Sequence, residues 1–368
     1  MEYIKIKDIL EFKKKSKIKA SEGLKIGKYN FYTSSKEQNK FLDYYEYSNE
    51  ALIIGTGGNA NIHHSYGKFS VSTDCFVLEN KANKFFLLEY IYKYLLKNIH
   101  ILENGFRGAG LKHISKVYLE NIEIPIISIE KQKKLIKNLK NIDIFIDKNK
   151  QIKNELNFLN KSLFRFQFFS SGKNFQKKKL KDNIIEMFIG PFGSDLKNEI
   201  FVDKEKGYCM VYEQRHAIKR LIDNDVRYIT KEKYESLKRF KVEGGDIIVS
   251  CRGTIGKIYA LPNDAEFGII HSSLMKIKLK KDKYNNTFFE KLLEKYMQEN
   301  IYSTQGSSIK MAITAKKLSE EYFIIPPIEL QNKFAERIEK IEKLSFEIEN
   351  SIKEAENLYN SLMNKYFE

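Results

Sequence analysis

The chain repeats itself, and that repeat dictates what it can fold into. Ile129, Glu130 and Gln132 recur as Ile328, Glu329 and Gln331, an offset of 199 residues. The same offset carries Ile124-Pro125-Ile126-Ile127-Ser128 onto Phe323-Ile324-Ile325-Pro326-Pro327, sets Lys112-His113-Ile114-Ser115 against Met311-Ala312-Ile313-Thr314, and matches Leu119 to Leu318. A chain of this kind folds as copies of one unit, and a reading that overlooked the repeat would misassign the whole architecture.

Each copy ends in a polar stretch without Pro or Gly in which apolar residues alternate at spacings of three and four, the pattern of a coiled-coil seam. In the first copy the seam reads Ile142, Phe145, Ile152, Leu156, Leu159, Leu163 and Phe166, interrupted by Asn149. In the second, Ile341, Leu344, Ile348, Ala355, Leu358 and Leu362 stand where the offset puts them, with Ser351 as the interruption. Packing of each helix on its own domain would leave a similar stripe, but agreement in register between the copies favours a shared seam. A helix of about 38 residues is about 57 Å long. If the two pair antiparallel, each domain precedes the N-terminus of its own helix and takes one end of the coil.

The globular parts correspond more loosely. Val242-Glu243-Gly244-Gly245-Asp246-Ile247-Ile248-Val249 runs into Cys251-Arg252-Gly253-Thr254-Ile255-Gly256-Lys257-Ile258, a strand, a tight glycine turn and a strand. Ala51-Leu52-Ile53-Ile54 runs into Gly55-Thr56-Gly57-Gly58-Asn59-Ala60-Asn61-Ile62 in the same way. The fold class is therefore α+β: two mixed α/β domains in pseudo-twofold repeat, separated by a long antiparallel two-helix coiled coil. The expected boundaries are a domain over 1–128, a helix over 129–168, a linker over 169–180 with Ser170-Ser171-Gly172 and Lys177-Lys178-Lys179, a second domain over 181–327 and a second helix over 328–368.

Lys and Arg outnumber Asp and Glu by 64 to 48, a formal charge of +16. That surplus favours a polyanionic partner, because neutralising phosphates releases condensed counterions; a Lys-, Ile- and Asn-rich, low-GC codon usage contributes to it. The longest apolar stretch, Phe85 to Leu96, is broken by Glu89 and Lys93 and falls short of the roughly 18 residues a membrane span needs. Met1-Glu2-Tyr3-Ile4-Lys5 has no apolar leader region, so a cytoplasmic location without membrane association is expected. The three cysteines, Cys75, Cys209 and Cys251, form no C-x-x-C pair and are expected to be buried thiols.

Gly190-Pro191-Phe192-Gly193-Ser194-Asp195-Leu196-Lys197, Arg227-Tyr228-Ile229-Thr230, Gly245-Asp246-Ile247-Ile248 with Arg252-Gly253-Thr254-Ile255-Gly256-Lys257, and the Ile-Glu-x-Gln helix starts carry a resemblance. Over essentially its whole length the chain resembles the specificity subunit of type I restriction-modification systems. Gly55-Thr56-Gly57-Gly58 departs from the Arg-Gly-Thr-Ile-Gly form of the second half. The resemblance implies two target-recognition domains for double-stranded DNA and two helical regions that space them and dock two methyltransferase (modification) subunits. It further implies no catalysis and no cofactor in this chain, with S-adenosylmethionine, ATP and Mg on the partner subunits and restriction subunits joining through them. The alternatives are a specificity subunit of an orphan methyltransferase or fused nuclease-methylase system, and a coiled-coil scaffold without DNA readout. Pro326-Pro327 lacks the Asp or Asn and the aromatic that hold a flipped base. Gly253-Thr254-Ile255-Gly256-Lys257 lacks the spacing and the Ser or Thr of a P-loop and reads as a tight turn.

Within this frame the first domain offers Thr56, Asn59, Asn61, His63 and His64, side chains able to hydrogen-bond base edges, although a polar solvent loop would read the same. Adjacent histidines in a strand point to opposite faces, so His63 and His64 do not suit one metal ion. The second domain offers Gln214, Arg215 and His216, then Arg252, Thr254 and Lys257, with Ser194 and Lys197 in the 190–197 loop and Ser307, Ser308 and Lys310 in a Gly-Ser loop before the repeat. Arg pairs with guanine and Gln with adenine, whereas Lys more often holds phosphate. Arg107 and Lys112 stand where that Gly-Ser loop stands in the other half and are expected on phosphate.

Overall fold

Ala51–Gly55 and Ile247–Ser250 are buried at every position, as suits β-branched and apolar runs in a strand covered on both faces. They are the inner strands of two similar units. The computed structural model describes residues 2–81, 85–110, 112–170, 172–220, 222, 226–300 and 314–367. It divides into one unit of residues 1–152 with 348–368 and another of 153–347.

In the first unit an antiparallel sheet runs in the order Leu10–Phe12, Cys75–Asn80, Ala51–Gly55, Ile62–Ser65. A smaller sheet runs Lys40–Leu42, Tyr29–Tyr32, Phe69–Val71, its last two strands parallel. The second unit has the same plan. Its antiparallel sheet runs Ile184–Ile189, Leu274–Leu279, Ile247–Ser250, Ile258–Ala260. Its mixed sheet runs Tyr228–Ile229, Cys209–Tyr212, Gly268–Ile270, Lys241–Val242, with Cys209–Tyr212 parallel to Gly268–Ile270. The offset of 199 carries Phe69–Val71 onto Gly268–Ile270, Cys75–Asn80 onto Leu274–Leu279, and Glu123–Pro125 onto Tyr322–Ile324. The repeat thus runs through the globular parts with more regularity than their side chains suggest.

Five helices position the candidate site and its supports: α1 (Leu88–Lys97), α2 (Ile129–Phe169), α3 (Gln214–Lys219), α4 (Asn286–Asn300) and α5 (Ile328–Phe367). The long pair, α2 and α5, has 41 and 40 residues. The recurring glutamines explain where these two helices begin. Gln132 is fully buried; its Nε2 donates to the carbonyls of Phe85 and Ile127, both at 3.0 Å, and its Oε1 accepts from Leu87 N at 2.9 Å. Gln331 is equally buried and repeats the pattern on Lys283 O, Pro326 O and Asn285 N, at 2.9, 2.7 and 2.9 Å. A buried amide left unpaired would be costly, so each glutamine fixes the first turn of a long helix to the segment that leads into α1 or α4. Tyr90 and Tyr284 add hydroxyl donations to Pro125 O and Ile324 O, carbonyls also related by the offset of 199.

In the first unit Leu135 and Leu139 of α2 share a core with Met363 and Phe367 of α5; in the second, Phe164 and Phe168 share one with Phe334 and Ile338. Within each unit the two helices therefore run antiparallel. The seam itself needs a correction. Ile142, Asn149, Leu156, Leu163, Ile341, Ile348, Ala355 and Leu362 are buried or half-buried, but Phe145, Ile152, Leu159, Leu344 and Leu358 are 42 to 53 % exposed, and Phe166 is 73 % exposed. The inward positions are instead one residue on: Ile146, Asn160, Ser345 and Tyr359. Phe145 and Ile146 are adjacent and both apolar, so either fits a three-and-four spacing. At Leu159-Asn160, Leu344-Ser345 and Leu358-Tyr359 the more apolar residue is the one left outside.

Cys75, Cys209 and Cys251 are free and buried. Desolvation pushes the Cys75 thiol up to about 11 and that of Cys209 to about 12, which leaves both unreactive. Among the described residues no helix is long and apolar enough to cross a membrane.

Candidate nucleic-acid interface

In the first unit the hairpin between Ala51–Gly55 and Ile62–Ser65 turns through Gly58, whose φ of 77° is a backbone shape that favours glycine. Thr56 is buried beneath that turn: its N–H donates to Asp74 O at 2.8 Å, and its carbonyl accepts from Ile114 N at 3.1 Å and lies 3.2 Å from His113 Nδ1. The strand pair Phe106–Arg107 and His113–Ile114 is thereby held beside the turn, as is Ser34, whose hydroxyl accepts from Gly57 N. Asn59, Arg107 and Lys112 are exposed at this edge.

Three other candidates behave differently from their sequence reading. Asn61 is buried, its Nδ2 donating to Asn59 O at 2.9 Å while its Oδ1 has no partner among the described residues. His63 Nε2 lies 2.7 Å from Ser35 O with its ring against Tyr32, and burial pushes its pKa down. His64 Nε2 lies 2.8 Å from Glu50 Oε1, with its ring on Tyr66. Thr56, Asn61 and the two histidines therefore brace the turn and its strand. Among the described residues no group of three or more His, Cys, Asp or Glu side chains is placed to hold a metal ion.

In the second unit the turn 251–257 passes through Gly253 and Gly256, with φ of 65° and 78°. Gln214, at the start of α3, reaches across to it: Nε2 donates to Arg252 O at 2.6 Å and to Thr254 O at 3.1 Å. His216 is fully buried and its Nδ1 accepts from Glu213 N at 2.9 Å, closing the cap of α3. Arg215 lies 3.1 Å from Glu213. Gln214 and His216 are thus supports, because their polar atoms already serve the turn and the cap, whereas Arg252, Thr254 and Lys257 are exposed. Ser194 and Lys197 are exposed in the loop that follows Gly190, which packs against the backbone of His271. Cys251 N donates to Ser273 O at 2.9 Å, so the loops 190–197, 213–216, 251–257 and 271–273 converge. Ser307, Ser308 and Lys310 lie outside the described residues.

The sequence reading missed Arg227 and His271. Arg227 lies 3.7 Å from Glu213, donates to Asn198 Oδ1 at 3.1 Å and covers the Phe201 ring. His271 Nδ1 lies 3.0 Å from Ser273 Oγ, and burial pushes its pKa down. Arg227 opens the Arg-Tyr-Ile-Thr segment, a signal that was present; nothing in the pattern around His271 marks it.

Behind α3 lies a buried charge cluster. Glu290 of α4 is 2 % exposed, its Oε2 accepting from Ala260 N at 3.3 Å, and its carboxylate is paired with Arg220. Burial pushes Glu290 up to about 7 from an ordinary 4.5, against the opposing pull of Arg220 and Lys291 and with the support of Glu294 and Glu342. A carboxyl whose pKa is raised on folding binds more protons folded than unfolded between those values. Its contribution is complete below the unfolded pKa and is lost as pH rises through about 7. Denaturant unfolding of the wild type from pH 5 to 8 is expected to show that decline and Glu290→Gln to flatten it; equal slopes in the two proteins would contradict the assignment.

Two units of one topology, each leading into a glutamine-anchored long helix and each exposing Arg, Lys and small polar side chains on its turns, define a paired recognition protein built on a helical support. The chain belongs to the type I restriction modification DNA specificity domain family, whose model matches residues 1–157 and again 172–356, and it is a specificity subunit of a type I restriction-modification system. It is 26 % identical over 317 residues to the type I restriction enzyme MjaVIII specificity subunit of Methanocaldococcus jannaschii, covering 80 % of this chain and 73 % of the relative. It is 25 % identical over 350 residues to a putative type I specificity subunit of Mycoplasma pneumoniae, covering 92 % and 88 %. The fold matches the crystal structure of a type I S subunit from M. genitalium with a TM-score of 0.64 at 16 % identity, over 100 % of this chain and 96 % of that one. A second type I assembly structure matches with a TM-score of 0.60 at 13 % identity, over 100 % and 97 %.

Proposed function

We propose that this subunit reads an asymmetric, bipartite DNA sequence, one half with each target-recognition domain (1–128 and 181–327), and that the helical regions 129–168 and 328–368, joined through 169–180, set the spacing and dock two methyltransferase subunits. It has no chemistry of its own; S-adenosylmethionine, ATP and Mg belong to its partners, and restriction subunits are reached through them. One observation carries the reading: a single backbone plan presents different side chains at the corresponding edges. Asn59, Arg107 and Lys112 are exposed in one unit, and Arg252, Thr254, Lys257, Ser194 and Lys197 in the other. Unlike edges select unlike half-sites, since bases are read by the donors and acceptors that reach the groove. The charge of +16 supplies the phosphate attraction.

Partner docking is supported by apolar side chains left outside on the long helices. Phe158 is 74 % exposed, Phe166 73 % and Phe346 63 %, and large aromatic side chains left this exposed are suited to burial against a partner. The reading is tested by producing the chain with a type I methyltransferase subunit from the same genome and mapping methylated bases across the host genome. Two unlike half-sites around a fixed spacer are expected; one continuous motif, or none, would refute it.

A further inference from the structure

Glu342 of α5 stands 199 residues after Asp143 of α2, and each receives a lysine from the domain helix of its own unit. Lys93 of α1 lies 3.4 Å from Asp143 and also donates to Tyr359 Oη at 2.8 Å. Lys291 of α4 lies 3.5 Å from Glu342. An acidic residue at the same place in each long helix thus holds the adjacent domain helix.

In the second unit this clamp extends one element further. Arg220, the residue that ends α3, pairs with Glu290, lies 3.4 Å from Glu294 and 3.8 Å from Glu342. Its φ is 53°, and among the described residues it is the one non-glycine with positive φ. Glycine would take that backbone shape without the strain an L side chain carries there, so what arginine adds is its guanidinium. The planar fork is suited to several carboxylates at once in a way an ammonium is not. At the opposite end of α3, Gln214 holds the carbonyls of Arg252 and Thr254. The short helix is therefore tied at its start to the exposed turn and at its end to α4 and α5.

We propose that Arg220 is a positioning residue for readout of one half-site: through Glu290, Glu294 and Glu342 it keys α3, and with it the turn bearing Arg252 and Thr254, to the long helix α5. The inference rests on the bipartite reading above. Arg220 touches no base; it sets where the turn is presented. A side chain that merely stabilised the core would, when removed, lower the midpoint of unfolding and reduce methylation at both half-sites alike.

The test maps methylation by the complex of methyltransferase with wild type, Arg220→Gln, Arg220→Gly and Glu342→Gln, with thermal unfolding of each chain followed in parallel. Arg220→Gly relieves the backbone while removing the guanidinium. Glu342→Gln acts at the half-exposed end of the cluster and leaves buried Glu290 paired, so it carries the test should Arg220→Gln fail to fold. The expected result is a roughly tenfold rise in methylation of sites mismatched in one half, at unchanged stringency in the other, the size of losing about 1.4 kcal/mol of discrimination. Wild-type selectivity in Arg220→Gly and Glu342→Gln, or equal relaxation of both halves, overturns the proposal alone. A wild-type map without two halves overturns the bipartite reading and the proposal with it.

Discussion

Four residues added to each long helix, after Ile152 in α2 and after Glu347 in α5, are expected to lengthen the spacer of the recognised sequence by one or two base pairs and to leave both half-sites unchanged. Each insertion falls where the helix passes from one unit to the other. Four residues add about 6 Å of helix and close to one full turn, so the inserted segment returns each apolar seam to nearly its original face, and DNA rises about 3.4 Å per base pair. Adding two residues at the same points turns the seam faces by about half a turn and is expected to abolish methylation, because the halves of each helix then demand incompatible partners. Methylation maps of the two insertions decide the matter. Altered bases in either half-site after the four-residue insertion would count against helices that only measure distance.

The elements of this prediction were legible in the sequence to different degrees, for physical reasons. The offset of 199 was visible at Ile129-Glu130-x-Gln132 because a fully buried amide with three partners admits few substitutes. It faded in the sheets because a strand's place in the fold fixes which positions are buried and not which residue fills them: Cys75–Asn80 and Leu274–Leu279 share a register with no residue in common at matched positions. The seam was misplaced by one residue in alternate positions because pattern rewards the more apolar neighbour. Leu344 and Leu358 are exposed, while Ser345 and Tyr359 turn inward. Among candidate readers, residue type told what a side chain could do and nothing of whether it was already engaged. Gln214, His216, Asn61 and the pair His63 and His64 have base-reading chemistry, yet each is buried or already bonded through at least one polar atom to neighbouring backbone or to Glu50. Arg220 carries no motif and joins its three carboxylates only in the folded chain.

The two roles proposed for the long helices are separable by truncating the same residue type at two places on α2. Phe168 is 2 % exposed, with ring centroids 4.6 Å from Phe288, 5.3 Å from Phe334 and 5.5 Å from Phe164. Removing it empties the centre of an aromatic cluster that a helix cannot readily close, and Phe168→Ala is expected to cost about 3–5 kcal/mol. That is a large share of the roughly 5–15 kcal/mol that holds a domain together, so denaturant unfolding should show a marked fall in midpoint and methylation should fail at both half-sites. Phe158, ten residues earlier, is 74 % exposed. Phe158→Ala is expected to change stability by no more than about 0.5 kcal/mol while weakening copurification with the methyltransferase. The opposite pattern, an unstable Phe158→Ala chain that still binds its partner, would mean that Phe158 serves the fold and not the assembly. On the proposed reading one helix buries Phe168 in its own core and offers Phe158 to a partner, and the free energy of unfolding tells the two apart.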